Sequence, residues 1–241
     1  MSAISFAGLV KQSLVDYPGE IATVLFTRGC NFLCPFCHNG HLLIRGGYSE
    51  NEHLTMTQIM GFLAERRNFI DAVVISGGES TIHAWLPQAV SQIKEQGFLI
   101  KIDTNGSNPS MLNTLLENHL VDYVALDIKA PLDYKKYSQA TGRLNAQEFF
   151  NIRCSVNLLL GHPEITAEFR TTVLPLLHSY EDIENIAAAI ANAPLYTLQQ
   201  FNPASTFDPF YRQAVPFSKE EMEELADICR SYIRQVRTVN I

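Results

Sequence analysis

Residues 21–39 read IATVLFTRGCNFLCPFCHN, an apolar run followed directly by three closely spaced cysteines. The run from Ile21 to Thr27 is apolar or β-branched throughout, as expected for a strand that is covered on both faces of a parallel sheet. In such sheets the chemistry collects at the carboxyl ends of the strands. This stretch therefore predicts an α/β fold whose first strand delivers a cysteine-rich loop to the functional edge of the sheet.

Short apolar runs alternate with helical patterns along most of the chain, which is typical of βα units around a parallel sheet. Besides the first run, the predicted strands are Ala72–Ser76, Leu99–Asp103, Tyr123–Asp127, Glu168–Val173 and Tyr196–Gln200. Six strands are too few for a closed eight-stranded barrel, so a partial barrel or an open parallel sheet is expected.

Two helix starts are marked by capping boxes, in which a Ser or Thr side chain and a Glu or Gln three residues later cap each other's backbone. They are formed by Thr55 with Gln58 and by Ser218 with Glu221. The segment Asn151–Leu160 fits either a helix face or a buried strand, and we expect a helix because a better strand follows it.

The chain has 241 residues, 46% of them hydrophobic, and a net charge of −7. This length suits a single domain over 1–241, with a core at about 20–203 and a C-terminal helix and tail over 204–241. The acidic balance argues against a nucleic-acid partner, because phosphate neutralisation needs a basic face. Since no secretory signal or membrane-spanning run is found, we expect a cytoplasmic protein.

Cys154 and Cys229 fall on apolar helical faces and are expected to be core residues.

The other three cysteines form a C-x3-C-x2-C loop at Cys30, Cys34 and Cys37. Thiolates are the ligands of iron–sulfur clusters and of zinc. A structural zinc site needs a fourth ligand, for which the adjacent His38 is the obvious candidate. Three thiolates on a four-iron cluster would instead leave one iron open to a small molecule.

Three other predicted strands also end in polar or glycine-rich groups: Ser76–Ser80 reads SGGES, Asp103–Gly106 reads DTNG and Asp127–Lys129 reads DIK. Because the carboxyl ends of parallel strands share one edge of a sheet, these groups are expected to converge with the cysteine loop. Arg170 lies inside an apolar strand pattern, so its charge has to reach a partner, and a carboxylate is the natural one.

The same motifs, together with Leu14–Gly19, Asp122–Pro131, Phe169–Val173 and Leu198–Pro203, look like those of one family. Over roughly residues 5 to 210 the chain resembles the glycyl-radical-enzyme activases of the radical S-adenosylmethionine superfamily. Among them it is most similar to the activating proteins of anaerobic ribonucleoside-triphosphate reductase. One departure is Ser80, which stands where the family usually has proline, so a looser loop is expected there.

The resemblance implies a laterally open, partial (β/α)6 TIM-like barrel with a [4Fe–4S] cluster on Cys30, Cys34 and Cys37. S-adenosylmethionine would bind the iron that lacks a protein ligand and be reductively cleaved to a radical. In activases this radical removes a hydrogen from a glycine of a partner enzyme, here expected to be anaerobic ribonucleotide reductase. A flavodoxin or ferredoxin is the expected electron donor, and neither a nucleic acid nor a membrane is an expected partner.

The resemblance also implies roles for the residues at the strand ends. It places S-adenosylmethionine against Phe36, His38, Asn39, Gly77, Gly78, Glu79, Asp103, Asp127, Lys129, Arg170 and Gln200. Phe36 is expected near the adenine, and the Gly-Gly-Glu motif near the methionyl amino group. Arg170 is expected to reach the cofactor's carboxylate or to form a structural salt bridge. Asp103, Thr104 and Asp127 resemble a monovalent-cation site.

Two other functions remain open at this point. A radical enzyme of the same superfamily that acts on a small molecule, such as 7-carboxy-7-deazaguanine synthase, would share these motifs. A non-enzymatic zinc module would use the three cysteines and His38. For an activase, partner choice is expected to lie in surface segments such as Gly40–Glu52 or the tail after Pro203.

Overall fold

The structure is a computed structural model that describes residues 4–43 and 53–240. Its strands are β1 Ser5–Phe6, β2 Gly8–Ser13, β3 Ala22–Thr27, β4 Leu54–Thr55, β5 Ala72–Gly77, β6 Leu99–Thr104, β7 Tyr123–Asp127, β8 Thr166–Val173, β9 Leu195–Gln200 and β10 Val236–Val239. Its α-helices are α1 Met56–Arg66, α2 Leu86–Lys94, α3 Pro109–Glu117, α4 Tyr134–Thr141, α5 Ala146–Leu160, α6 Tyr180–Ala189 and α7 Lys219–Cys229. Most of the expected recognition segment Gly40–Glu52 lies outside the described residues, from position 44 onward.

The chain forms two compact units. The first comprises residues 1–31, 41–104 and 110–124, and the second comprises residues 32–40, 105–109 and 125–241. β7 begins in the first unit and ends in the second. A single domain over 1–241 therefore stays a prediction.

The first unit is built on the strand order β2-β3-β5-β6-β7. β2 pairs with β3 antiparallel, whereas β3, β5 and β6 pair in parallel. The first four residues of both β3 and β5 are buried, as expected for strands covered on both faces. α1 begins at the predicted capping box, in which Thr55 and Gln58 each accept a hydrogen bond from the other's backbone N–H.

The second unit continues with the order β7-β8-β9-β10, in which β8, β9 and β10 pair in parallel. α5 confirms that the ambiguous segment Asn151–Leu160 is helical, and α7 begins at the predicted capping box of Ser218. Cys229 is fully buried on α7, as expected. Cys154 is only half-buried, so the prediction that it is a core residue was wrong.

The sheet is mostly parallel, with the antiparallel β2 at one edge and β10 at the other. Among the described residues these two outer strands do not pair, so the sheet is not closed. The α/β fold is thus confirmed. All of the predicted strands are present, and none of the helices in the described part of the chain is long and apolar enough to cross a membrane.

Candidate active site

In the first unit, the backbone that leads from β3 to Cys30 is held by three hydrogen bonds. The Nε2 atom of the half-buried His83 ring donates to the Arg28 carbonyl at 2.9 Å, which assigns the proton of the ring to Nε2. Gly29 donates its N–H to the Leu42 carbonyl at 3.0 Å and accepts from the Glu79 N–H at 2.8 Å. The segment before Cys30 is therefore positioned by Leu42 and by two residues that follow β5, Glu79 and His83.

The two glycines at the end of β5, Gly77 within the strand and Gly78 directly after it, are required by close packing. A Cβ on Gly78 would lie 1.9 Å from the Gly29 carbonyl oxygen, and a Cβ on Gly77 would lie 2.5 Å from the Thr27 N atom. Gly77 also has a φ of +115°, which L side chains rarely adopt. The Gly-Gly pair thus lets the backbone after β5 approach the backbone that carries Cys30, whatever its role toward a ligand.

Glu79 is buried, and one oxygen of its carboxylate accepts three hydrogen bonds. Its Oε1 accepts from the Thr81 N–H at 3.0 Å, from the Thr81 hydroxyl at 2.5 Å and from the Thr104 hydroxyl at 2.7 Å. The next residue, Ser80, is fully buried and donates to the Asp103 carbonyl at 3.0 Å. The hydroxyl that replaces the family's proline therefore ties the loop after β5 to the end of β6.

In the second unit, the loop around Cys34 and Cys37 folds as a turn, in which the Cys37 N–H donates to the Cys34 carbonyl at 3.0 Å. The Leu33 N–H donates to the Thr141 carbonyl at the end of α4, at 2.9 Å. Gly142 follows with a φ of +64°, and a Cβ there would lie 2.4 Å from the Leu33 carbonyl oxygen. Phe36 is buried in this loop, whereas His38 is exposed.

Asp127, Lys129 and Arg170 form one charge cluster in the second unit. The carboxylate of Asp127 accepts from Arg170 Nε at 2.8 Å and from Lys129 Nζ at 2.9 Å. Burial raises the pKa of Asp127, but the two cations outweigh it and hold the pKa at about 2. Burial lowers the pKa of Lys129, but Asp127 and Cys34 outweigh burial and raise it. Arg170 therefore forms the structural salt bridge that was one of its two expected roles.

The backbone of Lys129 is fixed by two buried side chains. Its N–H donates to the Tyr137 hydroxyl at 3.2 Å, and its carbonyl accepts from His178 Nε2 at 2.9 Å. The other ring nitrogen of His178 accepts from the Leu174 N–H at 3.1 Å, which settles the tautomer. Burial lowers the pKa of His178, so the ring stays neutral at pH 7.

The ammonium of Lys129 acts on Cys34 and Cys37, the two cysteines of the loop that belongs to the second unit. Burial raises the pKa of the Cys34 thiol to about 11, and the Lys129 charge opposes that rise. Burial also raises the pKa of Cys37, against a hydrogen bond from the Asn39 backbone and the charge of Lys129. The Lys129 charge therefore lowers the pKa of both thiols, but burial and the Asp127 carboxylate raise it, and both pKa values lie above the usual range.

A cavity of about 620 Å³ lies beside His38 and Gln200 in the second unit. His38 donates from Nε2 to the Asn202 carbonyl at 3.0 Å, and its ring lies near that of Phe201. The Gln200 amide donates to the Phe217 carbonyl. Within the described part of the chain, the Oε1 atom of Gln200 is buried without a hydrogen-bond partner.

The structure groups the predicted residues by unit. Cys30, Gly77, Gly78, Glu79, Asp103 and Thr104 belong to the first, and Cys34, Phe36, Cys37, His38, Asn39, Asp127, Lys129, Arg170 and Gln200 belong to the second. No group of three or more His, Cys, Asp and Glu side chains that could hold a metal ion is found among residues 4–43 and 53–240. The joint role of the three cysteines therefore rests on their spacing and on the family.

Four supporting residues were missed by the sequence reasoning: His83, Lys101, Tyr137 and His178. Lys101 carried a signal, because a residue two positions before Asp103 on a strand lies on the same face. His83 and His178 contact backbone atoms 55 and 49 positions away, and Tyr137 contacts a backbone atom eight positions away across a turn, so no local pattern marks these contacts.

The chain matches the model of the radical SAM superfamily over residues 24–152. It is 37% identical over 245 residues to MJ1227 of Methanocaldococcus jannaschii, classed as a glycyl-radical enzyme activating enzyme, with 97% of this chain and 96% of that protein covered. It is 34% identical over 137 residues to the pyruvate formate-lyase-activating enzyme of Clostridium pasteurianum, covering 55% of each chain.

Solved structures share the fold at low sequence identity. SuiB of Streptococcus suis, solved with its precursor peptide SuiA, gives a TM-score of 0.67 at 14% identity over 89% of this chain and 47% of SuiB. QueE of Escherichia coli gives 0.51 at 16% identity, over 82% of this chain and 84% of QueE. By the superfamily match and the nearly full-length relative, the chain belongs to the radical SAM superfamily and, within it, to the glycyl-radical enzyme activating enzymes.

Proposed function

We propose that this radical SAM activase generates a glycyl radical in anaerobic ribonucleotide reductase. The class of reaction is supported by the similarity to an activating enzyme over 97% of the chain. The choice of partner is supported by the motifs DYPG before β3 and DTNG at the end of β6, which resemble those of the reductase activating proteins. We also propose the cytoplasm as the place of the reaction.

The cluster ligands in this proposal are Cys30, Cys34 and Cys37. The donor set fits a [4Fe–4S] cluster, because its ligands must be thiolates and the Lys129 charge favours that form at Cys34 and Cys37. The C-x3-C-x2-C spacing that follows β3, in a chain that belongs to the radical SAM superfamily, is the observation that carries the assignment. When bound, the cluster and S-adenosylmethionine supply the reductive cleavage that yields a hydrogen-abstracting radical.

The chain's own residues bind and orient the cofactor. We assign the adenosine end to the second unit, with Phe36, His38, Asn39 and Gln200, where the cavity beside His38 has room for a ligand. We assign the methionyl amino group to the backbone of Gly77, Gly78 and Glu79. Glu79 contributes its backbone, because Oε1 of its side chain already accepts three hydrogen bonds.

The charge cluster of the second unit has a positioning role. Arg170 holds Asp127, and Asp127 holds Lys129, so that the ammonium of Lys129 stays beside the cysteine loop and available to the cofactor's carboxylate. Cys154 and Cys229 lie apart on α5 and α7. An auxiliary cluster therefore has no ligands, and the electron has to come from an external donor, for which we propose flavodoxin or ferredoxin.

Iron content tests the cluster. Anaerobic reconstitution of the full chain is expected to give a brown protein with about four irons per chain that cleaves S-adenosylmethionine under reductant. Replacing Cys30, Cys34 and Cys37 by alanine is expected to abolish iron binding and the cleavage of S-adenosylmethionine. The control C154A is expected to keep both properties, because that thiol lies on α5. Iron binding that survives the triple replacement contradicts the assignment, and a colourless protein with stoichiometric zinc would establish the zinc module.

The partner is tested by electron paramagnetic resonance. Mixing the reconstituted chain with S-adenosylmethionine, reductant and anaerobic ribonucleotide reductase is expected to produce a stable glycyl radical signal. Pyruvate formate-lyase in place of the reductase is the matched control and is expected to stay silent. A signal with pyruvate formate-lyase alone would reassign the partner, and turnover of a free metabolite without any radical would establish the small-molecule alternative.

A further inference from the structure

Lys101 is a buried cation near the end of β6. Its side chain is only 4% exposed, and its Nζ lies 3.5 Å from Asp103 Oδ1. The same ammonium donates to the Asp16 carbonyl at 2.5 Å and lies 5.0 Å from the centre of the Tyr123 ring. Lysine is rarely buried to this depth unless its charge is paired, so these three contacts define a built position for one positive charge.

The Lys101 ammonium lies beside a residue of the expected cation site. Asp103 is the first residue of DTNG and one of the three residues that resemble a monovalent-cation site. Its carboxylate already has a positive charge at ion-pair distance. A metal ion on the same oxygen would sit beside the ammonium, within the few ångströms over which like charges strongly disfavour each other.

The other two residues of the expected cation site are also engaged, each in its own unit. The Thr104 hydroxyl donates to Glu79 at 2.7 Å. Asp127 is paired with Arg170 and Lys129. Both carboxylates are therefore balanced by cations of the chain itself, and this donor set does not fit an added monovalent cation.

We propose that the ammonium of Lys101 is the permanent cation at Asp103, and that this activase works without a monovalent metal ion. The proposal rests on the proposed function only in placing Asp103 at the cofactor-binding edge. Because a covalently attached cation cannot dissociate, the orientation of Asp103 does not depend on the salt present.

The same charge also ties down a neighbouring loop. Lys101 holds the carbonyl of Asp16, and the Tyr17 ring packs edge-on against Tyr123 with 5.4 Å between centres. The tip of this loop, Leu14 and Val15, is exposed. Removing the charge at position 101 should therefore loosen the loop as well as free Asp103.

The test compares alkali-metal chlorides with tetramethylammonium chloride at equal ionic strength, so that screening is the same. Tetramethylammonium is too large to replace a bound metal ion. For the full wild-type chain, both the thermal midpoint without a cluster and the equilibrium affinity of the reconstituted protein for S-adenosylmethionine are expected to be the same in both salts. A saturable rise of either quantity with potassium or sodium in the wild type would overturn the proposal.

The variant K101M removes the charge and keeps the length of the side chain. We expect it to acquire an alkali response, with affinity about tenfold higher in potassium than in tetramethylammonium, as for one restored charge contact. In K101M/D103N the response should disappear, and K101R should behave like the wild type. The matched control is K94M, which removes the half-exposed partner of Asp122 and should show no alkali response.

A folded K101M that ignores potassium would show that the ammonium does not stand in for a metal ion. If K101M folds in neither salt, the wild-type comparison alone decides. The thermal midpoint without a cluster requires no activity, so failure of this proposal is distinguishable from failure of the proposed function.

Discussion

Asp127 shows how a single side chain can be set by its neighbours. Burial alone would push its carboxyl toward the neutral form, yet Arg170 and Lys129 hold its pKa at about 2. As a result, the Lys129 ammonium is held where its charge acts on Cys34 and Cys37. At this scale the sequence shows the residues, and the contacts decide their roles.

The lowered pKa of Asp127 predicts a pH dependence of stability. A carboxyl with a depressed folded pKa contributes stability that is complete above its unfolded pKa of 3.8 and is lost as the pH falls toward about 2. We expect D127N to be less stable than the wild type at neutral pH by about 2 kcal/mol. Urea unfolding at a series of pH values should show this gap closing between about pH 4 and about pH 2. A gap that stays constant over that range contradicts the assigned pKa.

Gly78 gives a second prediction at the residue scale. In G78A the new Cβ meets the Gly29 carbonyl at 1.9 Å, so the backbone before Cys30 must shift. We expect a loss of about 1–3 kcal/mol in unfolding free energy, as for other overpacked sites, together with reduced iron binding after reconstitution. The control G61A lies in α1 with nothing within 4 Å of the new Cβ and should bind iron normally. Normal iron content in G78A would contradict the positioning role.

At the scale of elements, β10 depends on a charge pair that reaches across strands. Arg237 donates to Glu168 at 2.7 Å and to the Thr197 hydroxyl at 2.9 Å, and so connects β10 to β9 and β8. Glu168 is almost fully buried, whereas Arg237 is partly exposed. Removing a cation from a buried carboxylate leaves an uncompensated charge.

The variant R237A is therefore expected to lose about 2 kcal/mol of unfolding free energy, below the range for fully buried pairs because of the exposure of Arg237. Urea denaturation measures this loss. R230A removes a half-exposed arginine that pairs with Asp227 and Glu223, and should change stability by less than about 1 kcal/mol. Equal effects of the two variants would show that the β10 pair behaves as a surface pair.

Local patterns explain why some elements were predictable and others were not. Buried strands such as β5 and β7 are predictable from their continuous apolar runs, and α1 and α7 are predictable from their capping boxes. β2 reads GLVKQS and is largely exposed at the sheet edge, so it has no such run. Its strand conformation comes from pairing with β3, which is a tertiary contact.

At the scale of the whole molecule, Cys229 can report global unfolding. It is fully buried on α7, and burial raises its pKa to about 12. Because only the thiolate reacts with alkylating agents, we expect no labelling of Cys229 by iodoacetamide in the folded chain at pH 8. Labelling should begin only where urea unfolds the protein.

Mass spectrometry of labelled peptides measures this, with the half-buried Cys154 as the comparison. Cys154 is expected to react in the folded chain, because it is not sealed in the core. Labelling of Cys229 well below the unfolding transition seen by circular dichroism would show that α7 opens on its own.

The sequence by itself determined the α/β class, the strands of the parallel sheet and the cysteine loop, because these depend on neighbours within a few residues. It also carried the family, through motifs placed at the strand ends. Tertiary structure alone decided that Arg170 pairs with Asp127, that Gly78 makes room for Gly29 and that Lys101 binds the Asp16 carbonyl. The first two contacts join residues about 40 or more positions apart, and the third depends on a charge whose partners appear only when the chain has folded around it.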